Sequence, residues 1–260
     1  MQSRLKMKNK LTELLKNEPQ NLLNIFFTAG YPQLEDTTTL LTALENAQVD
    51  LVEIGIPFSD PLADGPTIQQ SSKIALENGM SIEKLFSQLK NHTPKIPVLL
   101  MGYLNPVMQY GLEAFCEKCK EVGVDGLIVP DLPMYIYQTE FKELFEKYNI
   151  SNIFLVTPQT SEKRIREIDS NSNGFIYAVS SASTTGSKTD FSAAADYLGK
   201  LKEMNLKTPI LTGFNIKNQQ NFQDACKYVN GAIIGSEFIR QITDVDDILE
   251  AATNYIMSIK

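Results

Sequence analysis

Histidine is nearly missing from this chain: its 260 residues contain one, His92. That residue lies in NHTPKIP, ahead of an apolar run and away from where such a run ends. Ser-His-Asp hydrolysis and histidine-based zinc sites are therefore without support, and acid–base chemistry falls to carboxylates, Tyr, Lys or Cys. Cysteine is also scarce, and its count of 3 is odd, so no disulfide framework is expected and a cytoplasmic setting fits. Cys116 and Cys119 form a C-x-x-C inside the amphipathic pattern GLEAFCEKCKEVG, with no second Cys or His pair nearby. They read as core residues, not as a redox or metal motif. Positive charge is in deficit, with 24 Lys and Arg against 31 Asp and Glu, a net −7, and no basic cluster of the kind nucleic acid requires. There is no long apolar stretch. The N-terminal MQSRLKMKNKLTELLKN reads as neither signal peptide nor membrane span, and its Leu5, Leu11, Leu14 and Leu15 predict a short amphipathic helix before the main fold. No Pro/Gly/Ser tract divides the chain, so one domain over residues 1–260 is expected.

What the chain does have is a repeated alternation. The apolar runs LLNIFFTA, DLVEIGIP, IPVLLMGY, DGLIVPD, SNIFLVTP, GFIYAVS, TPILTGF and GAIIGS lack the polar alternation of half-exposed strands. Each reads as a parallel strand covered on both faces. Amphipathic helical stretches separate them, and an additional helix is predicted in SIEKLFSQLKN. Gly79, Gly123, Asn149 and Asn205 stand where helices should stop. Eight such units predict an α/β fold, a closed (β/α)8 TIM barrel with an extra N-terminal helix. The alternative is a doubly wound open sheet. It usually carries G-x-G-x-x-G after its first strand, where this chain reads TAGYPQ.

In such barrels chemistry gathers on the loops after the strands. Glu53 interrupts the second run, VDLVEIGIPFSDPLADGPTIQ. Alternation puts Val52, Ile54 and Ile56 on the outer face and Glu53, with Leu51 and Gly55, inside the barrel. A carboxylate there is costly unless paired or functional, and no strand offers an obvious inward Lys or Arg. Burial should raise its pKa towards the range of a general acid at neutral pH. The following loop carries Asp60 and Asp64 and is stiffened by Pro57, Pro61 and Pro66. Asp64 gains interest from lying beyond Glu53 at the same strand end; taken alone it reads more readily as a turn former. Gly213, Gly235 and Ser236, at the ends of the seventh and eighth runs, could present backbone N–H groups to a phosphate, with Gly186 in STTGSK closing over them.

GIPFSDPLADGPTIQ (55–69) resembles the signature of the tryptophan synthase alpha chain family. FFTAGYP (26–32), GYLNPVMQYG (102–111), VPDLP (129–133), GFIY (174–177), TGF (212–214) and GAIIGS (231–236) agree along nearly the whole chain. The resemblance implies a lyase of L-tryptophan biosynthesis that splits indole-3-glycerol phosphate by a retro-aldol step without a cofactor. It implies Glu53 as the acid that protonates indole C3, and Asp64 as the carboxylate on the indole N–H. Tyr177 matches a tyrosine near the active site, and Gly186, Gly213, Gly235 and Ser236 match phosphate-contacting positions. By position Phe26, Leu100, Ile128 and Phe214 would line the indole pocket. The family's partner is a beta subunit carrying pyridoxal phosphate, in a cytoplasmic α2β2 heterotetramer. Loop 57–66 and Asn105-Pro106 match surfaces used for that contact. The chain departs from the pattern at Ser181 (usually Arg), Ser183 (usually Gly) and Asn215 (usually Gly), which bears on the lid, on phosphate affinity and on signalling to the partner. Three other readings stay open: a sugar-phosphate isomerase or epimerase on the same fold, a non-enzymatic regulatory subunit, and a stand-alone lyase releasing free indole.

Overall fold

The structure, a computed structural model, describes residues 8–16, 19–179, 191–213 and 215–260. Eight parallel strands close into a barrel in sequence order. They are β1 (Leu22–Thr28), β2 (Leu51–Gly55), β3 (Val98–Met101), β4 (Gly126–Ile128), β5 (Ser151–Val156), β6 (Ile176–Ala178), β7 (Ile210–Thr212) and β8 (Gly231–Ile234). All eight expected runs become strands, each somewhat shorter than its apolar run, because pairing stops where the chain turns out towards the loops.

Helices cover the outside. α1 (Lys10–Leu14) precedes the barrel, and α2 (Asp36–Asn46), α3 (Pro66–Glu77) and α4 (Ile82–Lys90) follow the first two strands. α5 (Leu104–Tyr110) and α6 (Leu112–Glu121) follow β3, and α7 (Met134–Ile136) runs through a π-helical turn into α8 (Lys142–Tyr148). α9 (Glu162–Asn171), α10 (Phe191–Glu203), α11 (Gln219–Cys226), α12 (Ser236–Gln241) and α13 (Ile248–Ile259) complete the ring. The helix stops work as expected: Gly79, Gly123, Asn149 and Asn205 all have positive φ, the conformation that lets a chain leave a helix sharply. α5 has no counterpart among the expected helices. Its Asn105-Pro106 reads as a turn signal, yet Pro106 falls in the first helical turn, where a missing N–H costs nothing.

The register fixes which side chains face the barrel axis. Glu53 pairs with Phe26 on β1 and with Leu99 on β3, and Asn24 pairs with Leu51 and with Ile233. Paired residues share a face, so Asn24, Phe26, Leu51, Glu53, Leu99, Met101 and Ile128 belong to the interior set. Val52 and Ile54 face the helices, as the alternation predicts. The N-terminal end is closed by α1, whose Leu11 is fully buried. Beside it Lys10 forms an ion pair of 2.9 Å with the buried Asp125. No helix among the described residues is long and apolar enough to cross a membrane.

Cys116 and Cys119 are buried in α6 and unbonded, and burial pushes the Cys116 thiol up to about 12. They are core side chains, as their pattern suggests. His92 sits 3.4 Å from Glu45, in a groove between α2 and α4 away from the strand ends.

Candidate active site

Glu53 is completely buried, and burial raises its carboxyl from the ordinary value of 4.5 to about 8. Its one hydrogen bond comes from Asn24, whose Nδ2 donates to Oε1 at 2.5 Å. Oε2 has no partner. The ion pair that would make Glu53 merely structural is missing, since no Lys, Arg or His is buried among the described residues. A carboxyl that stays largely protonated at neutral pH can give a proton and take it back.

Asp64 lies half-buried in the loop between β2 and α3. Loss of water raises its pKa, while the Tyr103 hydroxyl opposes that rise by donating to Oδ2 at 3.1 Å. The same hydroxyl accepts the Ala63 N–H at 3.0 Å, and Gln69 Nε2 donates to the Asp64 carbonyl at 2.9 Å. Tyr103 and Gln69 thus tie the Pro-stiffened loop down from two sides. Burial and the neighbouring Asp64 charge push the Tyr103 phenol up to about 12, so it remains a donor.

Asp64 and Tyr103 line a small cavity together with Phe26, Gly55, Ile68 and Met101 among others, and Phe26 is the register partner of Glu53. The cavity walls are largely apolar, with polar atoms arriving from the loop side. Two glycines give the aromatic rings their room. A Cβ on Gly55 would stand 2.6 Å from Phe26 Cζ, and one on Gly213 would stand 2.5 Å from the Tyr177 hydroxyl. Tyr177 on β6 therefore leans over the end of β7. Loss of water and the charges of Glu53 and Asp64 all raise its phenol pKa, which keeps it neutral.

Of the residues named from sequence, Phe26, Glu53, Asp64 and Tyr177 come together at the C-terminal end of the strands. Ile128 pairs with Met101 and faces inward one strand further round. Leu100 requires correction. It pairs with Ile54 and Leu127 on the helix-facing side, and Met101 lines the cavity instead. The run VLLM is apolar throughout, so nothing in it signals which residues face in. Gly213 and Gly235 stand at the ends of the adjacent strands β7 and β8, and Ser236 opens α12. Gly186 and Phe214 lie outside the described residues, as do Ser181 and Ser183. Sequence reasoning missed Asn24 and Tyr103. Asn24 carries the same signal as Glu53, a polar side chain in an apolar strand, whereas Tyr103 lies beyond its strand and only the fold brings it to Asp64.

A family model described as the tryptophan synthase alpha chain matches residues 12–259. The tryptophan synthase alpha chain of Flavobacterium psychrophilum is 55% identical over 239 residues, covering 91% of this chain and 94% of the relative. That of Bacteroides fragilis is 50% identical over 234 residues, covering 89% of each. The structure of the alpha subunit from Legionella pneumophila superposes with a TM-score of 0.85 at 30% identity, covering 96% of this chain and 95% of that one. The A-subunit from Pyrococcus furiosus superposes at 0.84 with 31% identity, covering 93% and 98%. The match runs through every strand of the barrel and both carboxylates, and this chain belongs to the tryptophan synthase alpha chain family.

Proposed function

We propose that Glu53 and Asp64 are the pair with which this chain, as a lyase of tryptophan biosynthesis, cleaves indole-3-glycerol phosphate to indole and glyceraldehyde 3-phosphate. The observation that carries this assignment is a buried Glu53 with no cation beside it among the described residues and a pKa raised to about 8, paired in register with Phe26, which lines the same small cavity as Asp64. Glu53 gives its proton to indole C3, which leaves a cation delocalised onto the ring nitrogen. Asp64 accepts the ring N–H and stabilises that charge in surroundings of low dielectric. The Glu53 carboxylate then takes the proton of the glycerol hydroxyl on the carbon attached to C3. The C–C bond breaks, its electron pair returns to the ring, and the hydroxyl carbon becomes the aldehyde. One proton enters and one leaves, so no redox partner or cofactor is required on this chain.

Gly213, Gly235 and Ser236, with Gly186, are the proposed phosphate contacts, and binding there would orient the scissile bond. Phe26, Ile128 and Phe214 are the proposed apolar walls for the indole ring, with Met101 in place of Leu100. The proposed partner is the beta subunit, carrying pyridoxal phosphate, in a cytoplasmic α2β2 heterotetramer. Two exposed apolar side chains support a contact there: Leu62 in the loop after β2, 89% exposed, and Met108 on α5, 49% exposed.

The test is indole release from indole-3-glycerol phosphate by the purified chain, with and without a tryptophan synthase beta subunit. Slow release that rises strongly with the beta subunit is expected. Glu53→Gln should lower kcat by about 1,000-fold or more and change KM far less, because it removes a proton donor used only in the transition state. Near-normal turnover by Glu53→Gln would overturn the assignment. Fast release without a partner would make the chain a stand-alone lyase.

A further inference from the structure

Asn24 is out of place by composition. It sits in the middle of LLNIFFT on β1, where every residue is buried, and it pairs with Leu51 and Ile233. Its exposure is zero, and among the described residues its side chain hydrogen-bonds to Glu53 alone. By register it lies one pleat below Phe26 and Glu53, towards the N-terminal end of the barrel and away from the cavity. An amide buried among Leu and Ile is a burden on the fold unless it serves something. Here it serves the carboxyl assigned to proton transfer.

We infer that Asn24 is a positioning residue that anchors the Glu53 carboxyl from beneath and gives its ionised form the hydrogen bond it needs to act as a base after it has acted as an acid. The inference rests on the proposed role of Glu53. A fully buried carboxyl with no donor nearby would be locked in its neutral form, because nothing would replace the lost water when it ionised. It would then lose its proton to indole C3 only with difficulty. The Asn24 N–H is the donor that replaces water. A Leu or Val in its place would offer no donor.

The other titratable groups near Glu53 come from different elements. Tyr177 reaches it from β6, and Asp64 with its partner Tyr103 comes from the loops after β2 and β3. All lie on the cavity side. Among the described residues no cation is buried nearby to stabilise the carboxylate, and Asn24 is its only side-chain hydrogen-bond donor.

The test uses Asn24→Leu and Asn24→Val in the full chain. Two measurements are made on each: the pH dependence of kcat for indole release, and an infrared titration of the buried carboxyl, identified by its disappearance in Glu53→Gln. Loss of the donor should move the Glu53 titration up by about 1 pH unit in both variants. The alkaline limb of kcat should move with it, and kcat should fall about 10-fold while KM stays within about 2-fold. Asn24→Val is smaller and suited to a strand, so it covers the case in which the larger Leu fails to fold. An unmoved Glu53 titration in a folded variant would overturn the inference. The infrared measurement requires no turnover, so a chain that titrates as expected but releases no indole would sink the proposed function and leave the Asn24–Glu53 coupling intact.

Discussion

Two carboxyl groups at this site are held in opposite ways. Glu53 is surrounded by apolar side chains with one amide beneath it, and its proton is retained up to about pH 8. Asp64 is half-buried, and Tyr103 supports its ionised form. That difference suits an acid–base group and a charge stabiliser working on one substrate. Tyr103→Phe tests it without disturbing the barrel. The change removes the hydroxyl that donates to Asp64 and accepts the Ala63 N–H, while the ring can still pack against Phe58 at 5.2 Å. Asp64 then loses a donor that favours its charge, so its pKa moves further up. Activity that requires the carboxylate is lost as pH falls through that pKa, and the acidic limb of the kcat profile should shift to higher pH. At neutral pH kcat should fall about 10-fold, the usual scale for one charge-assisted hydrogen bond. Steady-state indole release across the pH range measures both effects, and an unmoved acidic limb would show that Tyr103 holds the loop only.

At the scale of elements, the strands could be read from sequence because their runs are apolar on both faces. The same property hid which residues face in. Glu53 marked the inward face of β2 because it is charged, and by the same rule Asn24 marks β1. In VLLM nothing marks it, and Leu100, expected in the pocket, stands on the helix-facing side. The partner's register settles it, by pairing Leu99 with Glu53. Contacts such as Tyr103 with Asp64 join residues 39 apart in the chain and have no local signature. Closure itself is expected from the eight units, but the packing at the closing seam has no local signature. β1 meets β8 where Leu22 pairs with Gly231, and a Cβ on Gly231 would collide with the Leu22 carbonyl oxygen. Backbone cannot yield there as a flexible side chain would. Gly231→Ala should cost about 3 kcal/mol, at the upper end of overpacking effects. Gly199→Ala, the same chemical change in the interior of α10, meets nothing closer than Tyr228 at 4.0 Å. It should stabilise the chain by about 0.5–1 kcal/mol through helix propensity. Urea midpoints for the two variants should move in opposite directions. A shift of the same sign in both would mean that the seam between β1 and β8 is not where the barrel resists strain.

For the whole molecule, a buried acid makes stability depend on pH in a direction opposite to that of most paired carboxylates. Unfolding returns Glu53 from about 8 to an ordinary carboxyl value of 4.5. Between those values the folded chain keeps a proton that the unfolded chain has lost. Stability must therefore fall as pH rises from about 4.5 to about 8, and level off beyond, where both states are ionised. The net charge of −7 adds a general repulsion that also grows with pH, so the wild-type curve alone cannot isolate the contribution of Glu53. The comparison with Glu53→Gln does. Gln is close in shape to the neutral acid and cannot ionise, while Asp64 and the surface charges are common to both proteins and cancel. Below about pH 4 the two should unfold with similar free energies. Towards pH 7 the variant should become the more stable, by on the order of 3 kcal/mol. The same substitution that removes catalysis should thus strengthen the fold, and do so only above the ordinary carboxyl pKa. Urea unfolding of both proteins from pH 4 to pH 9 measures the difference directly. A constant gap across that range would place the Glu53 pKa near its ordinary value in the folded chain. It would then be a carboxylate at neutral pH, with no proton to give to indole C3.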